Sequence, residues 1–408
     1  MSNAFDILQE RGFVKQTNHE EDLRSLLAEQ SVTVYLGIDP TSDSLHVGHL
    51  LPLMGLVHLQ RAGHRPIALV GGGTAMIGDP SGRTELRQMI SKETICSNVE
   101  AIGRQLRRFL SPDESGTLMV NNADWLWNLN YIDFLREIGS QFSVNRMLTA
   151  ECFRSRMERG LSYIEFNYML LQAYDFLMLF RKYGCRLQIG GDDQWSNILA
   201  GADLIRRLER EDAYALTFPL LTTSSGKKMG KTESGAVWLD AAKTSPFEFY
   251  QYWRNCDDAD VGRLLAFYTL LPMDEVRKLG ALKDQEANRA KRVLAFEVTK
   301  LVHGEEEARK AEEASMALFG SGGDQESVPV AEVPSARVKA GVDLGELMHE
   351  IGLAGSNSEA RRLISQGGVY VNDERVTDRF RQVSLADAND GRIVIRKGKK
   401  AYKVVKIV

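Results

Sequence analysis

Strands and helices alternate along the first half of the chain, and this constrains the fold more than any other feature. Val32-Thr-Val-Tyr-Leu-Gly37 is a β-branched run closed by glycine, which predicts a strand. Leu50 to Gln60 is apolar and helix-like, and Arg65-Pro-Ile-Ala-Leu-Val70 predicts a second strand ending in three glycines. Helix is expected from Glu85 to Leu110, strand from Thr117 to Asn121, helix from Tyr131 to Gly139, strand from Arg186 to Ile189 and helix from Gln194 to Arg210. Such alternation argues for an α/β domain whose parallel sheet is covered on both faces. Right-handed crossovers then put the ligand site at the carboxyl ends of the strands.

The pattern changes after Pro246. Glu275 to Phe319 is charged and helical, and Ser321-Gly-Gly-Asp-Gln-Glu-Ser-Val-Pro, followed by Pro334, has the composition of a linker. Beyond it Leu344–Ile351 and Ser358–Ile364 predict short helices, with Ser356 or Ser358 as N-cap, and Val369–Asn372 and Arg392–Ile395 predict strands. The expected domains are residues 1–246, 247–320, a linker over 321–343 and a small module over 344–408. The whole chain carries a net charge of −4, so it is not a generic nucleic-acid binder. From Gly345 to the end, however, twelve Lys/Arg face eight Asp/Glu. That local excess fits either an anionic partner or an ordinary solvated surface. The four cysteines are widely spaced, with no Cys-x-x-Cys and no histidine at ligand spacing, so neither a disulfide framework nor a zinc site is expected. No segment approaches the ~20 apolar residues of a membrane span, and the first residues lack a signal-peptide run. A cytoplasmic protein without a membrane partner is expected.

Three clusters carry chemistry. The first is Tyr35-Leu-Gly-Ile-Asp-Pro-Thr-Ser-Asp-Ser-Leu-His46-Val-Gly-His49, a strand running through a polar loop into a helix. A helix N-terminus offers free N–H groups to anions. Two imidazoles three residues apart share a helical face and can donate to phosphate oxygens. Gly48 between them leaves room for a nucleotide. A surface or capping pair of histidines would look the same. The second cluster, Ser224-Ser-Gly-Lys227-Lys228-Met-Gly230-Lys231-Thr232, is either a solvated basic loop or a wrap for polyphosphate, but not a P-loop. The third is Tyr163-Ile-Glu-Phe-Asn-Tyr168-Met-Leu-Leu-Gln172-Ala-Tyr-Asp175. Tyr168, Gln172 and Asp175 fall on one helical face, which either lines a pocket for a polar ligand or simply faces solvent.

Together, His-Val-Gly-His and Lys-Met-Gly-Lys-Thr resemble the paired His-Ile-Gly-His and Lys-Met-Ser-Lys-Ser fingerprints of class I aminoacyl-tRNA synthetases. The departures are Val47, Gly230 and Thr232, and the last two resemble the variant usual in tyrosyl enzymes. The Tyr168 stretch closely resembles the tyrosine-binding helix of bacterial-type tyrosyl-tRNA synthetases. Gly71-Gly-Gly-Thr-Ala-Met-Ile-Gly-Asp79-Pro-Ser-Gly-Arg83 and Gln188-Ile-Gly-Gly-Asp-Asp193-Gln194-Trp195 are similar to further substrate loops of that family. The likeness runs from about Phe5 to the end.

The resemblance implies a Rossmann-like catalytic domain with a dimer-forming insertion around 125–162, a helical anticodon-side domain and a small α+β RNA-binding domain. It implies that Tyr168 and Gln172, helped by Asp79, hold the substrate ammonium. Asp175 and Tyr35 would face the phenol, and Gln188 and Gln194 the tyrosyl group. A pocket that pairs a hydroxyl leaves its own groups unpaired when phenylalanine enters, a rule for which this family is itself a standard example. Asp39, Gly37, Gly48, Gly191, Asp193 and Thr232 would lie along the nucleotide, with Asp193 near the ribose. His46, His49, Lys228 and Lys231 would stabilise the phosphoryl transition state, with Thr41 and Arg83 assisting; Arg83 and its neighbour Arg87 otherwise read as surface arginines. Arg361, Arg362, Lys397 and Lys399 would touch RNA. The implied substrates are L-tyrosine, ATP carrying Mg2+, and tRNA(Tyr), with no metal site, zinc or prosthetic group, in a homodimer. A tryptophanyl enzyme, a small-molecule adenylyltransferase and a non-catalytic RNA-binding relative are the alternatives.

Overall fold

The computed structural model describes residues 3–81, 90–110, 116–150, 153–154, 157, 160–222, 229, 231–232, 235–319, 330–372, 374–389, 391–398 and 401–408. Contacts divide the chain into two compact units, Met1–Lys243 with Asp257–Ala290 and Thr244–Cys256 with Lys291–Val408. These divisions fall elsewhere than the boundaries at 246 and 320 expected from composition.

The first unit is built on a six-stranded sheet. Its strands are β1 (Gln16–Thr17), β2 (Thr33–Ile38), β3 (Arg65–Val70), β4 (Leu118–Asn121), β5 (Cys185–Gly191) and β6 (Tyr214–Phe218), in the spatial order β1-β6-β5-β2-β3-β4. β2 to β6 are parallel, and β1 adds an antiparallel edge that the sequence pattern does not announce. From β2 the chain winds one way to β3 and β4, then returns to place β5 on the other side of β2. The switch point of the sheet therefore lies between the carboxyl ends of β2 and β5. The central strands are buried along nearly their whole length, as doubly covered parallel strands must be.

Two helices aim the site. The helix Val47–Arg61 follows β2 and is capped by His46. The helix Tyr163–Tyr183 starts at a capping box between Ser162 and Glu165 and stops at Gly184, which is left-handed. Its stripe does not face solvent: Asp175 is 2% exposed and Tyr168 6%. The helix expected from Glu85 is described from Lys92 to Phe109, capped by Ser91. Residues 82–89 lie outside the described part. Near the N-terminus the buried Arg11 guanidinium donates to the carbonyls of Ala266, Thr269 and Leu271, satisfying the end of the helix Val261–Tyr268.

The helix Asp284–His303, within which the division at Ala290 falls, and the helix Glu305–Phe319 of the second unit carry the helical pattern read after Glu275. The terminal module is larger than residues 344–408. Val330–Val333 pairs in parallel with Ala401–Ile407, and Val333, Val338 and Val342 are part of its core. Its five-stranded sheet runs Glu374–Val376, Val369–Val371, Arg392–Lys397, Ala401–Ile407, Val330–Val333. The stretch 330–343, expected as linker, is thus folded.

Candidate active site

At the switch point β2 ends in Gly37, Ile38 and Asp39, and β5 in Gly190 and Gly191. Gly37 is exposed between buried Leu36 and Ile38, so the sheet is open to a ligand there. Asp39 joins two groups. Its Oδ2 accepts from the Tyr168 hydroxyl at 2.8 Å, and its Oδ1 from the Thr74 hydroxyl at 2.7 Å. A Cβ on Gly71 would overlap both Asp39 and Thr74, so only glycine fits under this contact.

A buried network continues inward. Asn122 Nδ2 donates to Thr74 Oγ1 at 2.9 Å and to Asp175 Oδ2 at 2.8 Å, while Trp125 Nε1 donates to Asp175 Oδ1 at 2.7 Å. Burial pushes the Asp175 carboxyl up to about 7, against the two donors, which pull it down. Tyr35 is 1% exposed, meets Phe176 edge-on at 5.2 Å, and has its phenol held well above its usual value by burial and by Asp175. Gln188 sits opposite Tyr35 in the ladder and so projects from the same face of the sheet. Among the described residues the Tyr35 hydroxyl and the side-chain oxygens of Gln172 and Gln188 are buried and find no hydrogen-bond partner. Three such groups lining one pocket fit a polar ligand.

The outer wall is Asp79, which accepts from Gln194 Nε2 at 2.6 Å and from the Ser81 amide at 2.9 Å. Asn197 in turn holds Gln194 at 3.2 Å. Burial, then Asp39 and Asp79, hold the Tyr168 phenol well above its usual value. Of the adjacent aspartates, Asp192 accepts from Gln16 and Thr217, and Asp193 is exposed beside Gly191.

The nucleotide end is organised by the capping box. His46 Nδ1 accepts from the Gly48 amide at 3.0 Å, and His49 Nδ1 accepts from the His46 amide at 3.2 Å. Because a backbone N–H can only donate, both rings carry their proton on Nε2 when neutral. The rings stack with centroids 3.9 Å apart. A Cβ on Gly48 would press into the His46 ring. This corrects one expectation: the helix does not offer its first amides to an anion. Val47 N–H donates to Val237 O, Gly48 N–H to the His46 ring and His49 N–H to His46 O. The imidazoles, not the amides, are the donors at this end. Thr41 lies partly buried in the same loop. Arg83, Arg87 and Lys228 lie outside the described residues. Lys231 and Thr232 form a short strand paired with Gly235–Ala236, and their side chains lie outside the described part.

In the terminal module Arg361 lies 5.7 Å from the Phe380 ring and 3.6 Å from Asp343, Arg362 is exposed, and Lys397 pairs with Glu359 at 3.0 Å. Lys399 is outside the described residues. Phe380, 54% exposed with Arg379 over it at 4.5 Å, was not singled out by the sequence pattern. Asn122 and Trp125 were also missed; they belong to no motif, and only the fold brings them to Asp175. Thr74 lies in the Gly71–Arg83 loop but was not singled out there, and it reaches Asp175 only through Asn122.

Comparison with known proteins agrees with this geometry. Residues 27–320 match the family described as tRNA synthetases class I (W and Y), and residues 326–405 the tyrosine–tRNA ligase SYY-like C-terminal domain. A tyrosine–tRNA ligase of Clostridium tetani is 58% identical over 406 residues, covering 100% of this chain and 99% of the relative. One from Acetivibrio thermocellus is 57% identical over 408 residues, covering 100% of both. The crystal structure of a C-terminally truncated mitochondrial tyrosyl-tRNA synthetase of Aspergillus nidulans superposes with a TM-score of 0.71 at 31% identity, over 78% of this chain and 95% of that one.

Proposed function

The chain belongs to the class I tRNA synthetases of the tryptophan and tyrosine group and is an enzyme of the tyrosine–tRNA ligase type, and from that premise we propose how its residues divide the work. The reaction activates L-tyrosine with ATP and transfers it to the 3′ end of tRNA(Tyr). In the first step the tyrosine carboxylate attacks the α-phosphate, giving tyrosyl-adenylate and pyrophosphate. In the second the terminal ribose hydroxyl of the tRNA attacks the acyl carbon and releases AMP.

The substrate phenol sits between Asp175 and Tyr35. The observation that carries this is the buried Asp175 carboxylate, held by Asn122 and Trp125 beside an unpaired Tyr35 hydroxyl. Phenylalanine in the same place would leave these groups without partners, at a cost of about 1–3 kcal/mol each. Tyr168, Gln172 and Asp79 take the ammonium, with Gln188 and Gln194 along the tyrosyl group. Asp193 takes the ribose, and Gly37, Gly48 and Gly191 give the nucleotide close approach.

Catalysis is positioning and charge stabilisation, with no covalent enzyme intermediate. His46 and His49 donate from Nε2 to phosphate oxygens as charge builds. Lys228, Lys231, Thr232, Thr41 and Arg83 serve the pyrophosphate end, and Mg2+ arrives with ATP as part of the substrate. The segment 125–162 and the start of the next helix expose Tyr131, Ile132, Val144, Tyr163 and Ile164. That much apolar surface supports burial against a second copy in a homodimer. Arg361, Arg362 and Lys397, joined by Arg379 and Phe380, form a surface suited to phosphates and stacked bases of tRNA. Among the described residues no helix is long and apolar enough to cross a membrane, and we place the enzyme in the cytoplasm with its tRNA.

The test is ATP–pyrophosphate exchange with each of the twenty amino acids, on wild type and Tyr35→Phe. Exchange with tyrosine alone, and a raised tyrosine KM in the variant, is expected. Exchange with tryptophan, or an unchanged KM, would overturn this assignment of the pocket.

A further inference from the structure

The two signature segments are joined by a piece of backbone that ends at an indole. After the pairing Lys231↔Ala236 and Thr232↔Gly235, the chain continues directly into Val237-Trp238-Leu239. This stretch runs antiparallel to Leu45-His46-Val47. Val47 N–H donates to Val237 O at 3.0 Å and Leu239 N–H to Leu45 O at 2.8 Å, leaving His46 and Trp238 as a directly opposed bridge. Bonds that flank a pair in this way make it a non-hydrogen-bonded pair, the type that brings opposed side chains closest. The Trp238 and His46 rings accordingly meet edge-on, with centroids 6.0 Å apart.

The rest of the loop is tied to the same clamp. The Asp240 amide donates to Ser44 Oγ at 3.2 Å, and Gln105 holds both Ser44 Oγ at 3.1 Å and the Leu45 amide at 2.8 Å. Lys243 Nζ lies 5.0 Å from the Trp238 ring and pairs with Asp43. The capping box fixes which His46 nitrogen bears the proton, and two aromatic groups pack against the ring. His49 stacks on the ring, and Trp238 meets it edge-on from a different element.

We propose that Trp238 is a positioning residue for adenylate formation, which sets the orientation of the His46 imidazole and couples it to the strand that begins at Lys231. This rests on the reading of His46 as a phosphate donor. Small errors in the placement of a transition-state donor are costly, up to about 10²-fold in rate. Among the described residues none of these contacts involves the side chains of the tyrosine pocket, so the effect is expected on the rate and not on amino-acid affinity.

The experiment is a double-mutant cycle on single-turnover adenylate formation, with tyrosine affinity measured by equilibrium dialysis. The variants are Trp238→Ala, His46→Ala, the double variant, Trp238→Phe and Trp238→Leu. Trp238→Ala is expected to slow the step roughly 30-fold with unchanged tyrosine affinity. The same change on the His46→Ala background should cost less than about 3-fold, because the group it positions is gone. Trp238→Phe, which keeps an aromatic edge, should recover most of the rate, and Trp238→Leu should not. Equal losses on both backgrounds, weaker tyrosine binding, or equal rates for the Phe and Leu variants would overturn the proposal. If Trp238→Ala fails to fold, the Phe–Leu contrast decides alone. A His46→Ala variant with wild-type rate would overturn the reading of His46 and the proposal with it, whereas a slow His46→Ala variant with equal Trp238→Ala losses on both backgrounds would overturn the proposal alone.

Discussion

The tyrosine end and the nucleotide end of this site are built by opposite means. Around Asp175 the groups are buried and tied by side-chain hydrogen bonds: Asn122 and Trp125 hold the carboxylate, and Thr74 links Asn122 to Asp39. Around His46 the polar groups are only partly buried, and order comes from backbone pairing and a capping box. The difference fits two tasks. Discrimination between tyrosine and phenylalanine needs groups that pay heavily when left unpaired, which only a dry pocket supplies. Charge that appears on phosphate oxygens needs donors that are fixed yet reachable by a large nucleotide.

The largest expected effect tests the buried end. Asp175→Ala removes the partner of two buried donors as well as the phenol acceptor. It should lower kcat/KM for tyrosine by about 10³-fold or more in pyrophosphate exchange, equivalent to roughly 4 kcal/mol. It should also lower the melting temperature, because Asn122 and Trp125 are left without their acceptor. At the nucleotide end His46→Ala should slow adenylate formation by about 10²–10³-fold. The tyrosine dissociation constant should not move. A large rise in that constant with an intact single-turnover rate would erase the contrast between the two ends.

A smaller effect sharpens the contrast through pH. Asp175 must be ionised to accept fully from the phenol, and its carboxyl titrates at about 7. Tyrosine kcat/KM should therefore rise through that region as pH increases. The Asn122 hydrogen bond lowers this value, so Asn122→Ala should move the midpoint to higher pH. An unmoved midpoint would mean that another group controls the profile.

The smallest effect lies away from both ends. His58 is buried beside Phe13, and burial, with Arg11 and Arg61, drops its imidazole to about 3. Its folded value lies below the unfolded one, so the unfolded chain takes up the proton first. The stability it permits is present above about 6.5 and is lost as pH falls toward 3. His58→Leu should flatten acid denaturation over that window without altering the pH profile of tyrosine activation. A wild-type acid limb in this variant would contradict the assignment.

Much of this was legible in the residues alone, and the limits have physical causes. The parallel sheet showed in β-branched runs closed by glycine, and the Tyr168 stripe in its spacing, because both follow from local periodicity. Whether that stripe faced a pocket or water was settled only by Asn122 and Trp125, which reach Asp175 from 50 residues away or more in the chain. The start of the terminal module was misplaced for a similar reason. Val330–Val333 becomes a strand by pairing with Ala401–Ile407, a partner no local pattern announces. At His46 the generic rule about helix N-termini pointed to the amides. The cap and the Val237 carbonyl take those amides first, and that depends on a segment almost two hundred residues later.

The most direct test of the central claim is the ratio of kcat/KM for tyrosine over phenylalanine in wild type and in Asp175→Ala. A pocket whose selectivity resides in the buried carboxylate predicts that the ratio collapses, with tyrosine losing nearly all of its advantage and phenylalanine changing little. A variant that keeps the wild-type ratio would contradict it, and would place the selectivity elsewhere in the site.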